Sequence, residues 1–289
     1  MSAKRYSTGY ARLDQALGGG IIPGVLTLVL GSSGVGKTHL GVSFAAGTGE
    51  KDRGLILDMT ARGDSQDHAE YAARMAGWNL RQIDVNRIAT SLWDAPEPPG
   101  DIASLLRDEH RKVIRGQVDE REWLAWNAFI QKRMQDTAML IYSAFVGGRR
   151  RVVVDGIEPS SDSSQSIQRE FFDHCVERMI KKDAVGLAMD AFRERFYQNK
   201  EKVEAAAYDH KEVATIALVT SQETMLDALM ARPLEAGDLF AVANTVILMG
   251  WSRRGDGMER GLFVAKHRGS ACSSRILPFE VGEKGLIFN

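Results

Sequence analysis

Residues 27–38 read TLVLGSSGVGKT. The apolar, β-prone run of Leu26, Leu28, Val29 and Leu30 predicts a strand, Gly31 to Gly36 a turn, and His39 to Ala46 a helix. Gly31 to Thr38 completes the pattern G-x-x-x-x-G-K-[ST], a phosphate loop. Glycine permits backbone angles that a Cβ forbids, so successive amides can turn towards one anion. The following helix adds the positive end of its dipole. The residues expected to hold a triphosphate are Ser33, Gly34, Val35, Gly36, Lys37, Thr38 and His39. Lys37 would bridge the β- and γ-phosphates, and the Thr38 hydroxyl would be one ligand of Mg²⁺. An accidental match in a chain of this size is expected roughly once in a hundred sequences.

The chain has 289 residues, 44% hydrophobic and 26% charged, with a net charge of −1. That balance suits a globular protein with a substantial core and gives no general attraction to nucleic acid or acidic membrane. No apolar run approaches a membrane span, and no apolar segment of a signal peptide follows MSAKRYSTGY, so a cytoplasmic protein is expected. Cys175 and Cys272 are far apart in sequence, without C-x-x-C spacing or paired histidines, which argues against a disulfide framework or a zinc site.

β-type runs at 25–30, 54–58, 85–91, 150–155, 214–220, 244–249 and 261–266 alternate with helical or turn segments. Near-continuous apolar runs such as VVVD and IALVT indicate an α/β fold: a mostly parallel sheet with helices on both faces. TVILMGW, SRRGDGMER and GLFVAKHRGS predict a C-terminal β-hairpin turning around Asp256-Gly257. Residues 101–147 read as helical, with a stripe of Trp123, Trp126, Ile130 and Met134 suited to the core or to a partner. Residues 167–212 form a second elaboration, containing a segment charged enough for a solvated helix or an excursion. Neither has a strand set of its own, so one domain over 1–289 is expected.

Val152 to Val154 end in Asp155, which fits the second element of a phosphate-loop site, where the aspartate holds Mg²⁺, usually through water. Ligands in parallel sheets collect at the carboxyl ends of strands, which would set Asp155 beside Lys37 and Thr38.

Thr8-Gly9 with Leu13-Asp14, LGGGIIPG at 17–24 and the phosphate loop resemble the entry of the KaiC and RadA branch of RecA-type ATPases. AGWNL at 76–80 resembles a further short stretch of that family, and LFVAKHRGSACSSRILPFEVGEKGL is similar to its Lys-x-Arg-Gly strand and x-Pro-Phe-Glu ending. The resemblance implies a RecA-like P-loop NTPase core, ATP with Mg²⁺ as ligand, and a homo-oligomeric ring, usually hexameric, with nucleotide at each subunit boundary. It also assigns Lys266 and Arg268, which share one face of a strand, to the γ-phosphate bound by the neighbouring subunit; ordinary edge charges are the plainer reading. KaiC itself has two such domains and phosphorylates itself in the second; with a single phosphate loop, a clock-type autokinase is not implied here.

The resemblance also exposes a gap. Hydrolysis needs a group to orient and deprotonate water, and in the family one or two glutamates stand just past the second strand. Thr60 and Ala61 occupy those places. Asp58 at the strand end, or Asp64 or Asp67 from the following loop, are the candidate replacements; otherwise hydrolysis is slow or absent. Gln222 suits either a γ-phosphate sensor or a buried cap. A regulatory or assembly ATPase with a protein partner is therefore expected. A recombinase-type DNA-binding ATPase is the alternative, disfavoured because GIEPSSDSSQS lacks basic and aromatic residues and ETMLDALMARPLEAGD carries only Arg232.

Overall fold

The structure, a computed structural model, describes residues 4–60, 67–85, 92–93, 99–106, 116–158, 167–232 and 239–288. Among these, the strands are β1 (Leu26–Ser32), β2 (Leu55–Asp58), β3 (Ile102–Ser104), β4 (Arg151–Ile157), β5 (Ala214–Ser221), β6 (Thr245–Arg254), β7 (Gly257–His267), β8 (Leu277–Gly282) and β9 (Gly285–Phe288). They form one sheet in the order β3-β2-β4-β5-β1-β6-β7-β8-β9. β1 lies between β5 and β6, parallel to both, and β2 pairs in parallel with β3 and β4. From β6 onwards every pairing is antiparallel.

The all-buried pattern of β1 follows from that central place, because successive side chains enter opposite cores. Leu28, Leu55, Val152 and Leu248 join one core. Val29, Ile56, Val153 and Ile247 join the other. The second core is roofed by α1 (Ala11–Ala16), α2 (Lys37–Ala46) and α3 (His68–Ala76). The first is covered by α4 (Glu120–Val146), α5 (Ile167–Cys175) with its π-helical continuation Val176–Ile180, α6 (Ala184–Phe192) and α7 (Phe196–Ala205). Two short helices, α8 (Leu226–Ala231) and α9 (Leu239–Val242), add Leu226, Leu229 and Leu239 to that core.

The expected helical reading of 101–147 is corrected at its start. Ile102–Ser104 is the strand beside β2, tied down by the buried Asp101 carboxylate, which pairs with both Arg149 and Arg81. Three residues are too few to show a period. Of the β-type run at 85–91, Val85 is buried outside any named strand, and 86–91 lie outside the described residues. The predicted hairpin is present, but its two-residue turn is Gly255-Asp256, one position before the expected Asp256-Gly257, with Arg254 opposite Gly257 and Gly255 at φ +58. β8 and β9 extend it by a second antiparallel pair.

The arginine run before β4 is structural. Arg149 binds Asp101, Arg150 lies over the Tyr208 ring, and Arg151 donates to the carbonyls of Ser7 and Phe44 and to Asp52. No described helix is long and apolar enough to cross a membrane.

Candidate functional site

β1 ends in the phosphate loop, and the loop's glycines answer different demands. A Cβ on Gly31 would run into the Met249 carbonyl of β6, so this glycine lets the neighbouring strand close in. Gly34 and Gly36 take φ of +75 and +118, in the region where side chains are strained. Val35 between them is fully buried and anchors the loop, while Ser33 and Gly34 face solvent. Gly36 is the N-cap of α2 and provides no side chain to bond the first turn, so the amides of Lys37, Thr38 and His39 have no intrahelical acceptor and suit an anion.

Lys37 is 5% exposed, and its ammonium donates to the carbonyls of Gly31 and Ser32 at 3.0 and 2.8 Å. Burial lowers its pKa to about 8, with the Asp155 carboxylate acting in the opposite direction. The ammonium therefore remains charged at neutral pH, on the inner side of the loop. The Thr38 hydroxyl donates to Asp155 Oδ2 at 2.9 Å, which joins the two elements at the carboxyl edge of the sheet. A hydroxyl and a carboxylate at this separation are hard oxygen donors of the kind Mg²⁺ takes. The residues present thus fit a nucleotide-bound divalent ion.

The carboxyl ends of β2 and β4 meet around Asp155. Gly156, at φ +85, donates its amide to Asp155 Oδ1 at 2.7 Å, and Met59 donates to the Asp155 carbonyl at 2.8 Å. The buried Gln168 side chain ties the carbonyls of Met59 and Gly156 together at 2.8 and 2.9 Å. Thr60 lies here, while Ala61 and Asp64 lie outside the described residues. Asp58 is 3% exposed and its Oδ1 accepts the Thr60 amide at 2.9 Å, which closes the strand end. Asp67 caps α3 by accepting from the Glu70 amide at 2.9 Å. Gln222 is exposed, which removes the buried-cap reading of that residue.

His68 is the site residue that no sequence motif marks. The first residue of α3, it is 4% exposed with Nε2 3.0 Å from Asp155 Oδ2. Its only trace in the sequence is a histidine following a capping aspartate. His39 stacks on Tyr71, with ring centroids 4.6 Å apart. Burial, with Arg74 and Arg260 nearby, lowers the His39 pKa and favours the neutral ring.

Lys266 and Arg268 lie at the other end of the sheet. Lys266 pairs with Val246 and His267 with Thr245, beside the start of β1, whereas Met249 pairs with Gly31. Three residues of strand separate the level of Lys266 from that of Gly31, and four separate that of His267, about 10 and 13 Å. The Lys266 ammonium donates to the carbonyls of Phe240 and Ala241 at 2.7 and 3.3 Å, and burial together with Arg268 lowers its pKa. Arg268 is exposed. Among the described residues β8 pairs with β7 only at Arg260–Leu262 and does not run alongside these cations.

The family model described as "ATPase: KaiC" matches residues 6–207, well over half of the chain. The chain belongs to the KaiC ATPase family. The KaiC-type domain is similar in fold to the KaiC-like protein PH0186 from the hyperthermophilic archaeon Pyrococcus horikoshii OT3, with a TM-score of 0.53, 15% identity and 100% of both chains covered. A stretch of 36 residues is 53% identical to a DNA repair protein RadA from Synechocystis sp. (strain ATCC 27184 / PCC 6803 / Kazusa), covering 12% of this chain and 7% of that protein. These likenesses agree with the α/β, mostly parallel RecA-type architecture described above.

Proposed function

We propose that this KaiC-family domain, taken as one unit over 1–289, binds ATP with a divalent ion at Ser33–His39 and acts as a regulatory or assembly ATPase in a homo-oligomeric ring, six subunits being the number the family resemblance implies. The observation that supports it most is the constellation of Lys37, Thr38 and Asp155 at one sheet edge, with hydroxyl and carboxylate 2.9 Å apart. Lys37 would exchange two neutral carbonyl acceptors for phosphate oxygens, a charge-assisted gain. The bound ion would neutralise phosphate charge, with Thr38 and Asp155 holding it directly or through water. Lys266 and Arg268, too far from their own loop, would meet the γ-phosphate held by a second copy.

Slow hydrolysis is part of the proposal. Asp58 is occupied by the Thr60 amide, and neither Thr60 nor Ala61 is a base. Loss of a positioned base typically costs about 10² to 10⁴ in rate. Asp64 is the sequence-based candidate for what turnover remains. Titration with a fluorescent ATP analogue tests binding: Lys37→Ala is expected to weaken it about 10- to 100-fold through the lost charged hydrogen bonds. Turnover at around 1–100 s⁻¹, the range of efficient phosphoryl-transfer enzymes, and its abolition in Asp64→Ala with binding intact, would contradict the slow site.

A second reading, a recombinase-type DNA-binding ATPase, is favoured by the short likeness to a DNA repair protein. Single-stranded DNA binding that strengthens with ATP and weakens with salt would establish it over the regulatory role.

A further inference from the structure

Asp67 caps α3, and the first turn that follows carries the His68 imidazole inwards against β4. Asp155 Oδ1 is engaged by the Gly156 amide, which leaves Oδ2 as the oxygen turned towards the phosphate loop. Among the described residues, that oxygen has Thr38 Oγ1 at 2.9 Å and His68 Nε2 at 3.0 Å as hydrogen-bond neighbours. An octahedral ion with ligand bonds near 2.1 Å holds adjacent donors about 3.0 Å apart. Both separations are those of hydrogen bonds, and both also match the edge of one coordination shell with Asp155 Oδ2 at the shared corner.

The donor set decides which ion such a shell prefers. Mg²⁺ takes oxygen and gains little from an imidazole, whereas first-row transition ions accept nitrogen readily. We propose that His68 supplies a nitrogen ligand to the divalent ion that accompanies the nucleotide, shifting the site's preference from Mg²⁺ towards first-row transition ions, of which Mn²⁺, the weakest nitrogen binder, is the paramagnetic probe. This rests on the nucleotide-binding reading above. If Asp155 instead holds the ion through water, His68 only orients the carboxylate and no metal–nitrogen bond forms.

The test uses the full chain with a non-hydrolysable ATP analogue and Mn²⁺, observed by pulsed electron paramagnetic resonance. Unlabelled protein is expected to show a ¹⁴N coupling that becomes a ¹⁵N coupling when only histidine is ¹⁵N-labelled, which separates it from nitrogen of the base. His68→Gln should remove the coupling. In parallel, the analogue should bind about tenfold or more tightly with saturating Mn²⁺ than with Mg²⁺, the ratio falling towards one in the variant. The labelled wild type decides the matter even if the variant fails to fold. Equal binding with both ions and no histidine coupling would overturn the proposal while leaving nucleotide binding intact. Absence of analogue binding with any ion would overturn both.

Discussion

A side chain on Gly156, whose amide binds the Asp155 carboxylate, would have to displace Thr60. Its φ of +85 disfavours any side chain, and an added Cβ would stand 2.5 Å from the Thr60 amide nitrogen. Gly148 has nearly the same backbone angle, +88, with nothing within 4 Å of its would-be Cβ. The pair separates backbone strain from collision. Gly148→Ala should cost about 1 kcal/mol in denaturant unfolding and Gly156→Ala about 3 kcal/mol, with nucleotide affinity falling only in the latter. Equal costs would show that the turn between Asp155 and Thr60 yields freely. At this scale the sequence was most legible where a motif fixes spacing: Lys37, Thr38 and Asp155 meet as their order implied. It was least legible for His68, because a contact across 87 residues leaves no periodic trace.

Among the elements, long and periodic ones were readable and short ones were not. The stripe Trp126, Ile130 and Met134 of α4 is buried in the same core as Leu28 and Val152, so the packing reading holds over a partner-binding face. α7 keeps Phe196 and Val203 inward with Tyr197 81% exposed, which is the solvated-helix reading of the charged segment. β3 escaped notice because three residues, even with Ile102 and Ala103 buried, are too few to show a period, and the ion pairs of the preceding Asp101 are made to residues distant in sequence. His267 shows how the N-terminal segment is tied to the sheet. Its Nε2 lies 3.0 Å from the Leu17 carbonyl, which can only accept, and 3.1 Å from the Arg5 guanidinium, which can only donate, while Nδ1 lies 2.9 Å from the Thr245 hydroxyl. Burial and the Arg5 guanidinium lower the pKa of this imidazole below its ordinary 6.5. Between the lowered value and 6.5 the unfolded chain holds more protons than the folded one, so stability rises with pH across that window and is lost as pH falls through it. Urea unfolding at pH 7 and pH 5 should show a smaller loss in His267→Gln than in wild type. An identical loss in both would place the acid sensitivity elsewhere.

For the whole molecule, the decisive fact is that the phosphate loop and the Lys266–Arg268 cations lie at opposite ends of the sheet, Met249 being opposite Gly31 and Thr245 opposite His267. One chain cannot bring them together without unpicking β6 from β7. A head-to-tail contact between copies can, and repeated contacts of that kind close into a ring when the rotation allows. Subunit mixing tests this. With ATP at a concentration that fills the wild-type site but not the weakened one, Lys37→Ala has an empty loop, and in the proposed ring Arg268→Ala lacks the reaching cation, so each alone should remain monomeric by mass photometry while wild type assembles. Mixed in equal amounts they should form dimers and stop there. The loaded loop of the Arg268→Ala copy meets the intact arginine of the Lys37→Ala copy, and the other two ends of that pair are both defective. Assembly of either variant alone, or rings from the mixture, would mean that the interface does not run from one copy's loop to the next copy's β7.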